Sequence, residues 1–154
     1  MGGRVRLIAA VVAVLLLGGC GVRSGAAESE SGWRTEVDQT LGTAVSSLGT
    51  TMLLLENQAD GHLTGNYVVV AVRDTLRTLN TEAQAFESLQ PPASEAAANR
   101  RAVEALGRAV TALNAASTAA SAGDRRAGRD ALRDVRRAYA ALQDLRDRLT
   151  EAAR

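Results

Sequence analysis

Apolar residues recur every three or four positions along four stretches of the chain, the spacing that lines up one face of an α-helix. Trp33, Val37, Leu41, Val45, Leu48, Met52 and Leu55 make one stripe and predict a helix over residues 33–58. Val68, Val72, Leu76, Leu79, Ala83, Phe86 and Leu89 predict a second over 67–89. The run Val68-Val69-Val70 by itself favours a strand, but the longer period outvotes it. Val103, Leu106, Val110 and Leu113, continued weakly by Ala116 and Ala120, predict a third helix over 94–120. Leu132, Val135, Tyr139, Leu142, Leu145 and Leu149 predict a fourth over 125–152.

The breaks between these stripes carry turn chemistry. Asp60-Gly61 stops the first helix, and Thr64 or Asn66 is placed to cap the second. Pro91-Pro92 ends the second, because the residue before a proline is pushed out of the α region. Ser94 is the expected cap of the third helix, with Glu95 favourable in its first turn. Gly123-Asp124 reads as a stop followed by a new cap. Short connections fold the chain back on itself, so the expected fold is all-α, an up-down-up-down four-helix bundle in which the four stripes cover one another. A three-helix bundle with a frayed first segment is the alternative. Gly42 and Gly49 lie one heptad apart beside the first stripe, either for close approach of a neighbouring helix or simply tolerated.

Ahead of the helices the pattern changes. Arg4 and Arg6 precede an unbroken apolar run over residues 7–17, followed by Gly18, Gly19 and the single cysteine, Cys20. A basic segment, a short apolar run and small residues, in that order, read as an export signal. The run is too short to cross a bilayer, which takes about 20 apolar residues. Leu17-Gly18-Gly19-Cys20 resembles the lipobox of bacterial lipoproteins. That resemblance implies cleavage between Gly19 and Cys20 and a diacylglyceryl group on the Cys20 sulfur. A secretory signal with an incidental thiol is the other reading; a lone cysteine has no intramolecular disulfide partner. The expected organisation is a lipoprotein signal peptide over 1–19, lipidated Cys20 with a flexible polar tether over 20–32, and a helical domain over 33–154. A further ordered set also resembles small actinobacterial lipoproteins with a helical mature domain. It comprises Met52-Leu53-Leu54-Leu55-Glu56, Asp60-Gly61-His62-Leu63-Thr64 with Tyr67, Leu89-Gln90-Pro91-Pro92 and Ala122-Gly123-Asp124. That likeness implies the architecture and no activity.

Composition sharpens this picture in two ways. Hydrophobic residues make up 46% of the chain but aromatic residues only 3%, so Ala, Leu and Val must build a core of thin, closely packed helices. All 18 basic residues are arginine, which, with the abundance of Ala, points to a GC-rich genome. The charge is nearly balanced and gives no reason to expect nucleic acid as a partner. Its placement is uneven: residues 20–99 hold 4 Arg and 10 acidic residues, and residues 100–154 hold 12 Arg and 7 acidic residues. Helices of opposite sign packing side by side explain this; the sharper alternative is a basic fourth-helix face turned to anionic lipid. Arg126–Asp130 and Asp144–Arg148 are spaced for i,i+4 pairs.

Candidate chemistry is sparse. A carboxylate-bridged metal site in a bundle needs two Glu-x-x-His motifs, and the chain has one histidine, His62. There is no Cys-x-x-Cys-His for haem, and His62 with Met52 would become axial ligands only by chance. Ser46, Ser47 and Thr50 have no base near them in sequence. Glu56, Asp60 and His62 are the nearest approach to an acid/base cluster, and such loop residues are ordinarily turn chemistry. The expectation is therefore no catalytic, cofactor or metal site, and no enzyme. The expected protein sits on the outer face of the cell membrane, held by lipid on Cys20, and acts as a helical interaction module for an envelope partner. A small-ligand or lipid carrier is the alternative.

Overall fold

The computed structural model describes residues 29–152; Gly19, Cys20, the expected signal and most of the expected tether lie outside them. The described residues form four long helices, α1 (Glu30–Ala59), α2 (Gly65–Glu87), α3 (Ala96–Ala122) and α4 (Arg125–Ala152), with a 3-10 turn at Ala93–Glu95 and no strand. The class is all-α and bundle-like. The first segment is a full helix of 30 residues, so the three-helix alternative falls.

Helix ends follow local hydrogen bonding more than apolar period. α1 starts at Glu30, three residues before Trp33, so the last part of the expected tether is helical. Ser29 Oγ accepts from Gly32 N at 3.1 Å, and Glu30 sits in the first turn, where the dipole favours a carboxylate. Glu30 also pairs with Arg34 at 2.7 Å. α1 closes at Asp60-Gly61, where Gly61 takes φ +78°, a conformation that costs an L-residue roughly 1–2 kcal/mol. Thr64 holds the cap position of α2 but makes no side-chain capping bond, and Asn66 lies inside the helix. α2 ends at Glu87, two residues short of Leu89, with Ser88 Oγ donating to Ala85 O at 2.7 Å. Ser94 does not cap α3. It falls within the 3-10 turn, and Glu95 takes the cap position instead. Gly123 (φ +65°) ends α3, and Asp124 Oδ1 caps α4 by accepting from Arg126 N and Ala127 N at 2.8 and 3.1 Å.

The core is built mostly from small side chains. α3 buries Leu106 and Leu113 among seven alanines, Ala102, Ala105, Ala109, Ala112, Ala116, Ala119 and Ala120. Val103 and Val110, expected in its stripe, are only half-buried; the buried face is turned toward the alanines. α4 likewise buries Ala131 and Ala138 beside Val135, Leu142 and Leu145, leaving Leu132, Tyr139 and Leu149 half-buried. On α1 the expected stripe is buried except for half-buried Val45 and Met52, and a second row, Thr40, Ala44, Ser47, Thr51 and Leu54, is buried with it. Each helix packs on the next, α4 returns to pack on α1, and α1 also touches α3 across the middle. Small residues on both α1 and α3 leave room for that crossing.

Thr51 is the one weak point of this core. It is fully buried, and its Oγ1 has no hydrogen-bond partner among the described residues. A buried hydroxyl without a partner costs about 1–3 kcal/mol. Thr51→Val keeps the shape and removes the hydroxyl, so urea denaturation should show stability raised by about 1–3 kcal/mol. A loss of stability would mean that the hydroxyl is paired.

Candidate functional site

The beginning of α1 is the most heavily fastened part of the molecule. Trp33 is 1% exposed and stacks in tilted fashion on Phe86 of α2, ring centroids 6.5 Å apart. A buried indole N–H needs an acceptor, and Trp33 Nε1 donates to Asn99 Oδ1 of α3 at 3.1 Å. Next to it, the Arg34 guanidinium donates to Glu95, Nε at 2.9 Å and Nη2 at 2.8 Å. That bond to Glu95 raises Arg34 above its usual value. Glu95, the cap residue of α3, is itself buried. One turn of α1 is thereby tied to α2 and to the start of α3, beside a cavity of about 370 Å³ lined in part by Trp33, Leu41, Glu95, Arg146 and Leu149.

Along α4 the ties are ionic. Arg146 grips Asp38 with two bonds, Nε to Oδ1 at 2.7 Å and Nη2 to Oδ2 at 3.3 Å, and Arg136 meets Glu56 at 2.6 Å. These pairs bear out helices of opposite sign lying side by side. Within α4, Asp144 pairs with Arg148 as expected, but Asp130 pairs with Arg133 rather than Arg126. Gly42 and Gly49 lie beneath α4 side chains: a Cβ on Gly42 would meet the Arg146 guanidinium at 3.7 Å, and one on Gly49 would meet Tyr139 at 3.5 Å. The approach is by side chains laid across the glycines, at distances an alanine also fits.

A third feature is a shallow groove of about 790 Å³ between α1 and α2. Its α1 wall includes Glu36, Gln39, Thr43, Ser46, Ser47 and Thr50, and its α2 wall Asp74, Thr75, Thr78 and Glu82. Three carboxylates line it and no arginine does. At the end of the molecule formed by the turns at Gly61 and Gly123, a cavity of about 510 Å³ is lined in part by Leu55, Leu63, Gly123, Arg125, Arg129 and Leu132. Arg125, Arg126 and Arg129 make no ion pair with any described residue. Arg125 and Arg126 lie in the first turn of α4, where the dipole disfavours cations, and Arg129 just beyond it.

The residues considered for catalysis are dispersed. Ser46, Ser47 and Thr50 line the groove, which has no histidine or cysteine in its walls. Glu56 is held by Arg136, Asp60 caps α1, and His62 is exposed in the following turn. Met52 is half-buried against the core. Among the described residues, no three His, Cys, Asp or Glu side chains are gathered as a metal site would require, and no helix is long and apolar enough to cross a membrane. Gly19 and Cys20, the expected cleavage and lipidation residues, lie outside the described residues. No protein-family model, curated protein or solved structure matches the chain. The Trp33–Asn99 bond joins positions 66 apart; its only trace in the sequence is an apolar-face tryptophan that must find an acceptor.

The Asp38–Arg146 pair gives an acid-sensitive contribution. The Arg146 hydrogen bonds hold the Asp38 carboxyl below its ordinary value of 3.8, against a smaller opposing effect of burial. A carboxyl lowered on folding stabilises the native state above its unfolded pKa, and that stability is lost as pH falls through the lower native value. Both partners are about half exposed, so the pair is worth roughly 0.2–1 kcal/mol. Asp38→Asn should lower stability at neutral pH by about that much and flatten the loss of stability below about pH 4. Thermal melts from neutral pH down to about pH 2 check this; parallel curves for the two proteins would refute it.

Proposed function

We propose that the chain is the precursor of a lipid-anchored interaction module on the outer face of the cell membrane. In this reading a peptidase cuts between Gly19 and Cys20, and the Cys20 sulfur carries diacylglycerol through a thioether. Two acyl chains suffice for stable anchoring, since each buried methylene adds about 0.8 kcal/mol. The observation that carries the proposal is the order basic segment, short apolar run, Leu17-Gly18-Gly19-Cys20.

The helices form an up-down-up-down bundle in this proposal. Support comes from the order of the cross-helix contacts. Asp38 meets Arg146 and Glu56 meets Arg136, so rising numbers on α1 match falling numbers on α4. Trp33, at the start of α1, meets Phe86 near the end of α2, and Arg73 of α2 meets Ser121 near the end of α3. Ten residues separate Cys20 from Glu30, a span of at most about 33–36 Å. The fastened end of α1 would then be the end nearest the membrane. Arg125, Arg126 and Arg129, at the start of α4, would stand at the far end, which weighs against α4 as a lipid-binding face.

Metabolic labelling with palmitate tests the anchor. The wild-type chain should take up label and fractionate with membranes, and Cys20→Ala should do neither. Retention of residues 1–19 in the mature protein, or unlabelled wild type in the medium, would overturn it. The two end cavities favour a second reading, a carrier of a small ligand or lipid. Native mass spectrometry of the purified protein should then reveal a bound small molecule, and a bare chain mass removes this reading.

A further inference from the structure

We propose that the groove between α1 and α2 is the docking site for a basic amphipathic helix of a partner protein. This rests on the reading of the chain as an interaction module and names the surface and the partner's chemistry. Three large apolar side chains are exposed among the described residues: Leu53 at 61%, Tyr67 at 57% and Val70 at 68%. Single exposed apolar residues need no explanation, but a contiguous group does.

Helical register puts these three together. Leu53 follows Ser46 by one heptad, and Tyr67 precedes Asp74 by one heptad; Ser46 and Asp74 both line the groove. Both rows therefore continue the groove toward the turn at Gly61. With α1 and α2 antiparallel and Trp33 level with Phe86, equal steps inward along the two helices bring Leu53 level with Asn66, next to Tyr67. The same steps bring Glu36 level with Ala83, next to Glu82. Val70 adjoins Tyr67 one turn further along α2. The surface is thus polarised: Glu36 and Glu82 stand at one end, Asp74, which Arg77 holds at 3.1 Å, lies between, and the exposed apolar side chains stand at the other end.

The seam from Glu36 to Leu53 takes in 18 residues of α1, about 26 Å at 1.5 Å per step, or close to five helical turns. Short serine and threonine side chains keep its floor low, the condition for a helix to lie in a groove. A matching helix carries Arg or Lys over its first turns and Leu or Phe over its last two. A second copy of this chain fits poorly. A two-fold contact through this face sets the same carboxylates against each other, and α4, the basic helix, exposes no large apolar side chain.

The full chain, held in zwitterionic nanodiscs, is titrated with a labelled synthetic helix of roughly 18 residues, matching the seam length. It bears arginines over its first half and leucines over its last two turns. Empty nanodiscs give the background. The peptide should bind above that background, and Leu53→Glu or the pair Glu36→Lys, Glu82→Lys should each weaken it at least about tenfold. These positions lie outside the core, so circular dichroism should report unchanged folding. A peptide with its arginines replaced by glutamates should not bind. Absent binding, equal binding of the acidic peptide, or indifference to the groove variants overturns the proposal. So does a wild-type dimer in sedimentation that Leu53→Glu returns to monomer. The palmitate experiment reads Cys20 alone, so failure here leaves the anchor standing, and failure there leaves the groove standing.

Discussion

The packing of the four described helices depends on the contact that α1 makes with α3. Four helices around a square leave a central channel unless large side chains fill it or one diagonal shortens. This chain has few aromatic residues to fill with, and it takes the second course. α3 buries seven alanines, α1 buries Thr40, Ala44, Ser47 and Thr51 beside its apolar stripe, and the two helices touch. Close approach replaces side-chain volume with backbone proximity and retains crystal-like density. The cost of building this way appears at Thr51, where a small residue brings a hydroxyl into the apolar interior with nothing to bond to.

That same economy decides what could be read from the residue pattern. The number of helices and the positions of the three breaks follow from apolar period and turn residues. The facing of α3 does not, because a stripe drawn through Val103 and Val110 gives valine more weight than alanine. In a core this thin, alanine is the better contact residue. The start of α1 was hidden for a different reason: Ser29, Glu30 and Gly32 look like tether until the capping bond is seen. Ser94 lies in the 3-10 turn and Glu95 takes the cap position, its carboxylate bound by Arg34, 61 positions away, a tie no local pattern announces. The groove was illegible at the sequence level, since its two walls belong to separate stripes and exist as one surface only once α1 and α2 are paired.

The uneven charge has a structural use and leaves a remainder. Asp38 and Glu56 on α1 take Arg146 and Arg136 from α4, and four further pairs within α2 and α4 neutralise their own helices. Exposed pairs of this kind add little stability individually. Their effect is to choose neighbours: α1 is drawn to α4 on one side, Glu30 is held by Arg34 within α1, and Glu36 is turned to the other side with Glu82 and with Asp74, which Arg77 holds. The acidic groove is therefore the counterpart of the α1–α4 contact, the side of α1 that no basic helix of this chain covers.

These asymmetries also give the molecule two unlike ends. At one, Trp33, Arg34, Glu95 and Asn99 lock three helices together within a single turn of α1. At the other, Gly61 and Gly123 turn the chain sharply and α4 opens on three arginines that pair with no described residue. A pull applied through residues preceding Ser29 is delivered to the locked end, where Trp33 and its partners spread the load over α2 and α3 before α1 can peel away. On the proposed anchoring, that is where the membrane attaches. The exposed Leu53, Tyr67 and Val70 then lie at the far end of helices about 35–45 Å long, clear of lipid headgroups. On the proposed docking, that exposed group would meet protein and not the bilayer, with anchor and contact surface kept apart by the length of the helices.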